Sequence, residues 1–210
     1  IPIRKKVALQ NIKDNFTHLN NIQQLNLLKK TYMHFGMVLS DFLRQKTLNK
    51  NIIDKTVNID DKTINILRKN EGSIIMTGHL GNWEYFLPIL GLNNIKFSIV
   101  AQKIKNDYLN KLFLKNRTFK NVEVIFKKDG KEKMIKALNN NFYLGLASDQ
   151  NAGKRGTIVK LLNINISIPK GAAIFHLKTK KPIFIGYCVM NKDYNYNLFI
   201  EELDISKVKD

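Results

Sequence analysis

The chain reads as an α/β fold, a mixed sheet flanked by helices and preceded by N-terminal amphipathic helices. From residue 74 onward, short apolar runs bounded by turn residues alternate with helix-length amphipathic segments, the pattern of sheet strands connected by helices. The first 46 residues instead carry apolar positions at helical spacing. Hydrophobic residues at 44% and aromatic residues at 10% place the chain among globular rather than disordered proteins. Its 210 residues fit a single domain, mainly helical over 1–70 and α/β over 71–210.

The elements follow in order. Residues 4–29 space Val7, Ile12, Phe16, Leu19, Leu25 and Leu28 as a loose helix, and 31–46 gather Tyr32, Phe35, Val38, Leu39, Phe42 and Leu43 on one side of a second. A polar connection leads to a short helix near 60–69. Strands are expected at Ile74–Thr77, Phe97–Ala101, Val122–Phe126 and Phe142–Ala147, with helices at Trp83–Leu90, Asn106–Phe119 and Gly130–Asn139 between them. An extended "TIVKLL", a helix at Lys170–Thr179 and strands at 182–190 and 195–203 complete the pattern. No internal repeat, low-complexity tract or flexible linker interrupts it.

Composition narrows the function. Lys and Arg number 35 against 17 Asp and Glu, a net charge of +18 that points to an anionic partner such as nucleic acid, a membrane surface, a phosphorylated substrate or an acidic protein. Heavy use of Asn, Ile and Lys throughout leaves compositional background as a second source of that excess. A single cysteine, Cys188, excludes an internal disulfide framework and a multi-cysteine zinc site, and its apolar strand context reads as core. The other histidines, His18, His34 and His176, sit on helices without metal-ligand spacing. A basic nucleic-acid-binding domain is the alternative from another class that this charge admits, disfavoured because the basic residues are dispersed and no recognition motif is present. "NAGKRG" at 151–156 lacks the pattern of a phosphate-binding Walker loop. No run reaches the roughly 18 apolar residues that a membrane span requires, and the start "IPIRKK" has no signal-peptide core.

Polar clusters fall after three of the strands: "TGHLGNWE", "AQK" and "SDQNAGKRG". In open α/β sheets such strand ends border the crevice where ligands bind. "TGHLGNWE" places His79, Asn82, Trp83 and Glu84 between a buried strand and a buried helix. With the helix beginning near Asn82, Glu84 in its first turn reaches back to one ring nitrogen of His79 and leaves the other as a base. No serine elbow or activated cysteine accompanies this pair, so the chemistry expected is direct: the base deprotonates a substrate hydroxyl, which attacks an activated acyl group. The spacing is only moderately specific, and a histidine beside a helix start is more often structural. Asp149 also fits a cap of the following turn, Arg117 a cation at a helix C-terminus, and Trp83 a core residue or groove wall.

"GHLGNWE" and further segments in matching order, "RKKVALQNI", "HFG" at 34–36, "KDGKEKMIKALNN", "FYLGLASDQ" and "SIPKGAAIFHLKTKKPIFIGY", resemble the bacterial lipid A biosynthesis (late) acyltransferase family. That family lies within the lysophospholipid acyltransferase superfamily with its H-x4-D/E motif. The resemblance covers nearly the whole chain and implies a glycerolipid acyltransferase-like α/β fold. It implies transfer of a fatty acyl chain from an acyl thioester, acyl carrier protein or acyl-CoA, to a hydroxyl of a phosphorylated lipid A precursor. The setting implied is the cytoplasmic face of the bacterial inner membrane, with an anionic membrane surface and acyl carrier protein as partners, no nucleic acid, no metal and no cofactor. Other glycolipid or amino-lipid acceptors use the same motif. Carried over, His79 is the general base and Glu84 its orienter. Asn82 holds the loop on the substrate-binding side, Arg117 contacts phosphate or the oxyanion, and Asp149 and Gln150 shape the groove from the opposite side. Where many members have Arg-Pro, this chain has Gln102-Lys103. Members also carry an N-terminal hydrophobic anchor and a further C-terminal segment, so the expectation is a short variant or a fragment.

Overall fold

The computed structural model describes residues 3–69 and 71–206. Helices α1 (Lys5–Asn15), α2 (Asn21–Arg44) and α3 (Lys50–Thr56) precede β1 (Val57–Ile59) and α4 (Asp61–Lys69). The alternating part runs β2 (Ile74–Thr77), α5 (Phe86–Leu92), β3 (Phe97–Ala101), α6 (Asp107–Arg117), β4 (Val122–Phe126), α7 (Gly130–Asn139) and β5 (Tyr143–Ala147). A hairpin of β6 (Thr157–Leu161) and β7 (Ile164–Ile168), then α8 (Gly171–Thr179), β8 (Ile183–Met190) and β9 (Tyr196–Glu202), follow.

Seven strands form one sheet in the order β1-β9-β8-β2-β5-β3-β4. Its neighbours are parallel except β8 and β9, so the sheet is mixed, and the antiparallel pair is formed by the two C-terminal strands. The hairpin stands outside the sheet. Successive residues of the central strands enter opposite cores, as the period of two requires. Ile75, Tyr143 and Phe184 pack with α3, α4 and α5. Ile74, Leu144 and Ile183 pack with α7 and α8. Burial on both faces is why these strands read as continuous apolar runs rather than as alternation.

Three local readings change. The expected helices over 4–29 and 31–46 divide elsewhere: α1 ends at Asn15 and α2 runs unbroken from Asn21 to Arg44. Asn20 sets this boundary. Its side chain accepts from the Gln23 N–H at 3.0 Å while the Gln23 side chain accepts from the Asn20 N–H at 2.9 Å, a reciprocal capping box. The polar connection before residue 60 contains α3 and β1, with Asn49 capping α3 through the Ile52 N–H. The helix expected over Trp83–Leu90 opens as a 3-10 turn at Trp83–Tyr85 and becomes α5 only at Phe86. Pro88 lies in the first turn of α5, where a missing N–H leaves no helical hydrogen bond unmade.

Asn20→Ala removes the half of the α2 capping box that the Asn20 side chain makes, leaving the Gln23 N–H without its acceptor. It should lower stability by about 1 kcal/mol, measured as a shift of the urea midpoint with unchanged slope.

Candidate active site

Strand register builds the site. β2 and β5 are parallel neighbours, with Thr77 opposite Ala147. The ladder continues one step further, where the Ser148 N–H donates to the Thr77 carbonyl at 2.8 Å. Two residues past each strand end, His79 and Asp149 therefore meet. The His79 ring Nδ1 lies 2.9 Å from Asp149 Oδ1, and the His79 backbone N–H donates to Oδ2 at 2.7 Å. An ionised carboxylate only accepts, so Nδ1 carries the ring proton and Nε2 keeps its lone pair. Burial works to raise the Asp149 pKa, but the hydrogen bonds from the His79 side chain and backbone outweigh it and hold the carboxyl below its ordinary value. Gly78 leaves room for this contact, because a Cβ there would stand 3.1 Å from the Asp149 carboxylate.

His79 and Asp149 side chains remain 30% and 39% exposed. The Gln150 amide nitrogen lies 3.4 Å from His79 Nε2, so two successive residues of one loop address the two ring nitrogens. The Trp83 ring meets the His79 ring edge-on with centroids 4.8 Å apart. A partly exposed imidazole whose Nε2 accepts one long hydrogen bond suits removal of a proton from a substrate hydroxyl that takes the place of the Gln150 amide.

The carboxylate expected to orient His79 is elsewhere. Glu84 sits in the 3-10 turn, and its side chain faces α6 instead of the loop. Arg117, the last residue of α6, donates Nε to Glu84 Oε2 at 3.0 Å and Nη2 to Oε1 at 2.5 Å. The Arg117 guanidinium lies over the rings of Phe42 and Phe113 at 5.7 and 5.5 Å. Both partners are largely buried, with 18% and 9% of their side chains exposed. The pairing expected between His79 and Glu84 is thus replaced by two pairs, His79 with Asp149 and Glu84 with Arg117. Arg117 stands at the C-terminal end of α6, with Nε and Nη2 engaged by Glu84.

Asn82 is fully buried and holds the loop rather than lining the opening. Its backbone N–H donates to the Cys188 carbonyl at 2.7 Å. Its side-chain amide donates to Asp41 and to the Tyr196 hydroxyl, each at 3.1 Å, and Tyr196 donates to the same Asp41 oxygen at 2.5 Å. Gly81 adopts φ +64 in a bridge with Cys188, a backbone conformation that glycine takes without Cβ strain. Cys188 is fully buried, and burial together with Asp41 pushes its thiol pKa far up, which leaves it unreactive. Among the described residues, no group of three His, Cys, Asp or Glu side chains is placed to hold a metal ion.

Sequence reasoning missed His34, Phe35 and Asp41. His34 Nε2 donates to the Gly81 carbonyl at 3.0 Å, and the Phe35 ring lies 5.7 Å from that of Trp83. The signal was present in α2: His34 and Asp41 are polar residues seven positions apart, two helical turns on one face.

The family described as "Bacterial lipid A biosynthesis acyltransferase" matches residues 2–207. Comparison with curated proteins found no match. Among solved structures, the crystal structure of the 1-acyl-sn-glycerophosphate (LPA) acyltransferase PlsC from Thermotoga maritima is similar. It aligns with a TM-score of 0.44 and 11% identity over 100% of this chain and 90% of that one.

Arg117→Ala should lower stability by about 3–5 kcal/mol, because it strands a buried carboxylate; Arg117→Ala/Glu84→Leu should recover part of the loss in a urea titration. Asp149 predicts a pH effect of definite sign. Its folded-state pKa is depressed, so its contribution is in place above the unfolded carboxyl value of about 4 and is lost as pH falls through the folded value. Asp149→Asn should flatten that acid limb of the stability curve, measured by denaturant midpoints across pH.

Proposed function

The chain belongs to the bacterial lipid A biosynthesis acyltransferase family, and from that premise we propose that it transfers a fatty acyl chain from acyl carrier protein to a hydroxyl of a phosphorylated lipid A precursor. The observation that carries the mechanism is the His79–Asp149 pair at two adjacent strand ends, with both side chains partly exposed and Nε2 accepting a long hydrogen bond from the Gln150 amide. The acceptor hydroxyl gives its proton to Nε2 as its oxygen attacks the thioester carbonyl. The new C–O bond forms, the C–S bond breaks, and the proton passes from the imidazolium to the departing sulfur. Asp149 fixes the ring tautomer and stabilises the imidazolium. The Gln150 amide lies where it can donate to oxygen in the reacting group.

Glu84 and Arg117 act one step away. Their closed ion pair fixes the 3-10 turn that carries Trp83, and so the wall against His79. The supporting case for donor and acceptor is electrostatic: a net charge of +18 attracts an acidic carrier protein, a phosphorylated lipid and an anionic membrane surface alike. The buried, unactivated Cys188 favours direct transfer over an acyl-enzyme.

The test is expression of the intact gene in a host lacking its own late acyltransferases, with mass spectrometry of the lipid A fraction. One added acyl chain is expected; unchanged lipid A with a new acyl group on another glycolipid or amino-lipid would move the acceptor. His79→Ala should lower kcat by at least about 10²–10⁴-fold. Asp149→Asn should lower it by up to about 10⁴-fold, because an amide partner selects the wrong tautomer. Full turnover by a folded Asp149→Asn protein would return the orienting role to another group.

A further inference from the structure

Between Leu146 and Ala172, both in the core beneath α7 and α8, the chain forms the loop after β5 and the β6–β7 hairpin. The hairpin's apolar side chains reach no core: Ile158, Leu161 and Leu162 are between 51% and 68% exposed. Across the whole excursion a single residue is buried, and it is polar: Ser167, on β7. A two-stranded hairpin is marginal on its own, and a buried hydroxyl destabilises unless it is bonded. The bonds of Ser167 therefore decide how hairpin and loop are held together.

Those bonds go to two successive residues of the loop that carries Asp149 and Gln150. The Ser167 carbonyl accepts from the Ala152 N–H at 2.9 Å, and its hydroxyl donates to the Gly153 carbonyl at 2.6 Å. Gly156 permits the approach, because a Cβ there would stand 2.1 Å from the Ser167 hydroxyl oxygen. At its other end the loop is pinned beside β2, with Ser148 bonded to Thr77 and Asp149 to His79. Gln150 lies between these two anchorages, exposed, with its amide nitrogen 3.4 Å from His79 Nε2. We propose that Ser167 is a positioning residue: by clamping Ala152 and Gly153 to the hairpin, it holds the Gln150 amide at Nε2 of His79. A long exposed side chain on a loop tied at one end spreads over many rotamers. With both ends tied, the backbone at Gln150 presents the amide to one place. The amide then covers Nε2 in the free protein and stays beside the reacting oxygen once a substrate hydroxyl has displaced it. The consequence for transfer rests on the acyltransferase reading; the covering of Nε2 does not.

The test reads Nε2 directly. Diethyl pyrocarbonate modifies the unprotonated nitrogen of an imidazole, and peptide mass spectrometry follows each histidine separately. Gln150→Ala should raise the rate at His79 by at least about twofold, the protection that one weak hydrogen bond gives, and Ser167→Ala should raise it too. Ser167→Ala/Gln150→Ala should react no faster than Gln150→Ala, because a clamp acting through Gln150 then has nothing left to position. Ser167→Cys, similar in size and a weak donor, carries the same expectation as Ser167→Ala. His18, which is exposed, should keep its wild-type rate throughout and so separates local release from unfolding. Asn163→Ala removes the bond from the hairpin's turn to the Asn15 carbonyl and should leave the His79 rate unchanged. In turnover, Ser167→Ala and Gln150→Ala should lower kcat with the same non-additivity. Normal transfer by a folded His79→Ala protein would defeat the transfer mechanism and leave the clamp standing. An unchanged His79 rate in Gln150→Ala or in the Ser167 variants would overturn the clamp. Additive effects in the double variant would overturn it as well, and so would an equal rise in Asn163→Ala, which would assign the hold to the hairpin as a whole.

Discussion

The parallel register between β2 and β5 is the constraint on which the site depends. Once Thr77 stands opposite Ala147 and Ser148 bonds back to Thr77, the positions of His79 and Asp149 are no longer independent. A one-residue slip would turn every side chain of a strand to the other face. That slip is strongly opposed, because Ile74 and Leu144 belong to one core while Ile75 and Tyr143 belong to the other. Core packing on both faces therefore also fixes the geometry of the His79–Asp149 pair, over distances that no short motif spans.

The loop itself is held from three directions. β8 supplies the Cys188 carbonyl to the Asn82 N–H, α2 supplies His34 and Asp41, and α6 supplies Arg117 to Glu84. Polar groups buried in such a place destabilise unless paired, and here the Asn82 amide N–H groups and the Glu84 carboxylate find partners on separate elements, while Asn82 Oδ1 is buried without one. Asn82 and Glu84 thus work structurally within a functional segment. Their buried hydrogen bonds restrain the backbone on either side of Trp83, and Trp83 restrains the face of the imidazole. A ring oriented in advance needs less reorganisation when charge develops on it.

What the sequence made legible follows from how local each signal is. The β2, β3, β4 and β5 strands lie within one residue of their expected bounds, since doubly buried strands announce themselves as apolar runs between turn residues. The family was also readable from its motifs, and the match over 2–207 establishes it. The boundary between α1 and α2 was missed because apolar spacing continues across residues 16–20, and only the Asn20 and Gln23 side chains reveal the cap. The orienter of His79 was misplaced for the opposite reason. Glu84 is five residues away and Asp149 seventy, so proximity in sequence favours the wrong carboxylate. The correct one follows only from knowing that β2 and β5 are neighbours.

That error has a physical lesson about the H-x4-E spacing. A carboxylate five residues after a histidine reaches back only if the intervening chain folds over itself. Here Gly81 at φ +64 and the bridge to Cys188 carry the chain away along β8 before the 3-10 turn begins. Glu84 then emerges on the side of α6, where Phe42 and Phe113 shelter an arginine. In that shelter the carboxylate is held by two hydrogen bonds from one guanidinium, which suits a structural brace. Under the proposed mechanism the imidazole would change charge, and a partly solvated carboxylate is better suited to stand beside it, because solvent relaxation accommodates that change. Asp149, with more than a third of its side chain exposed, occupies that position.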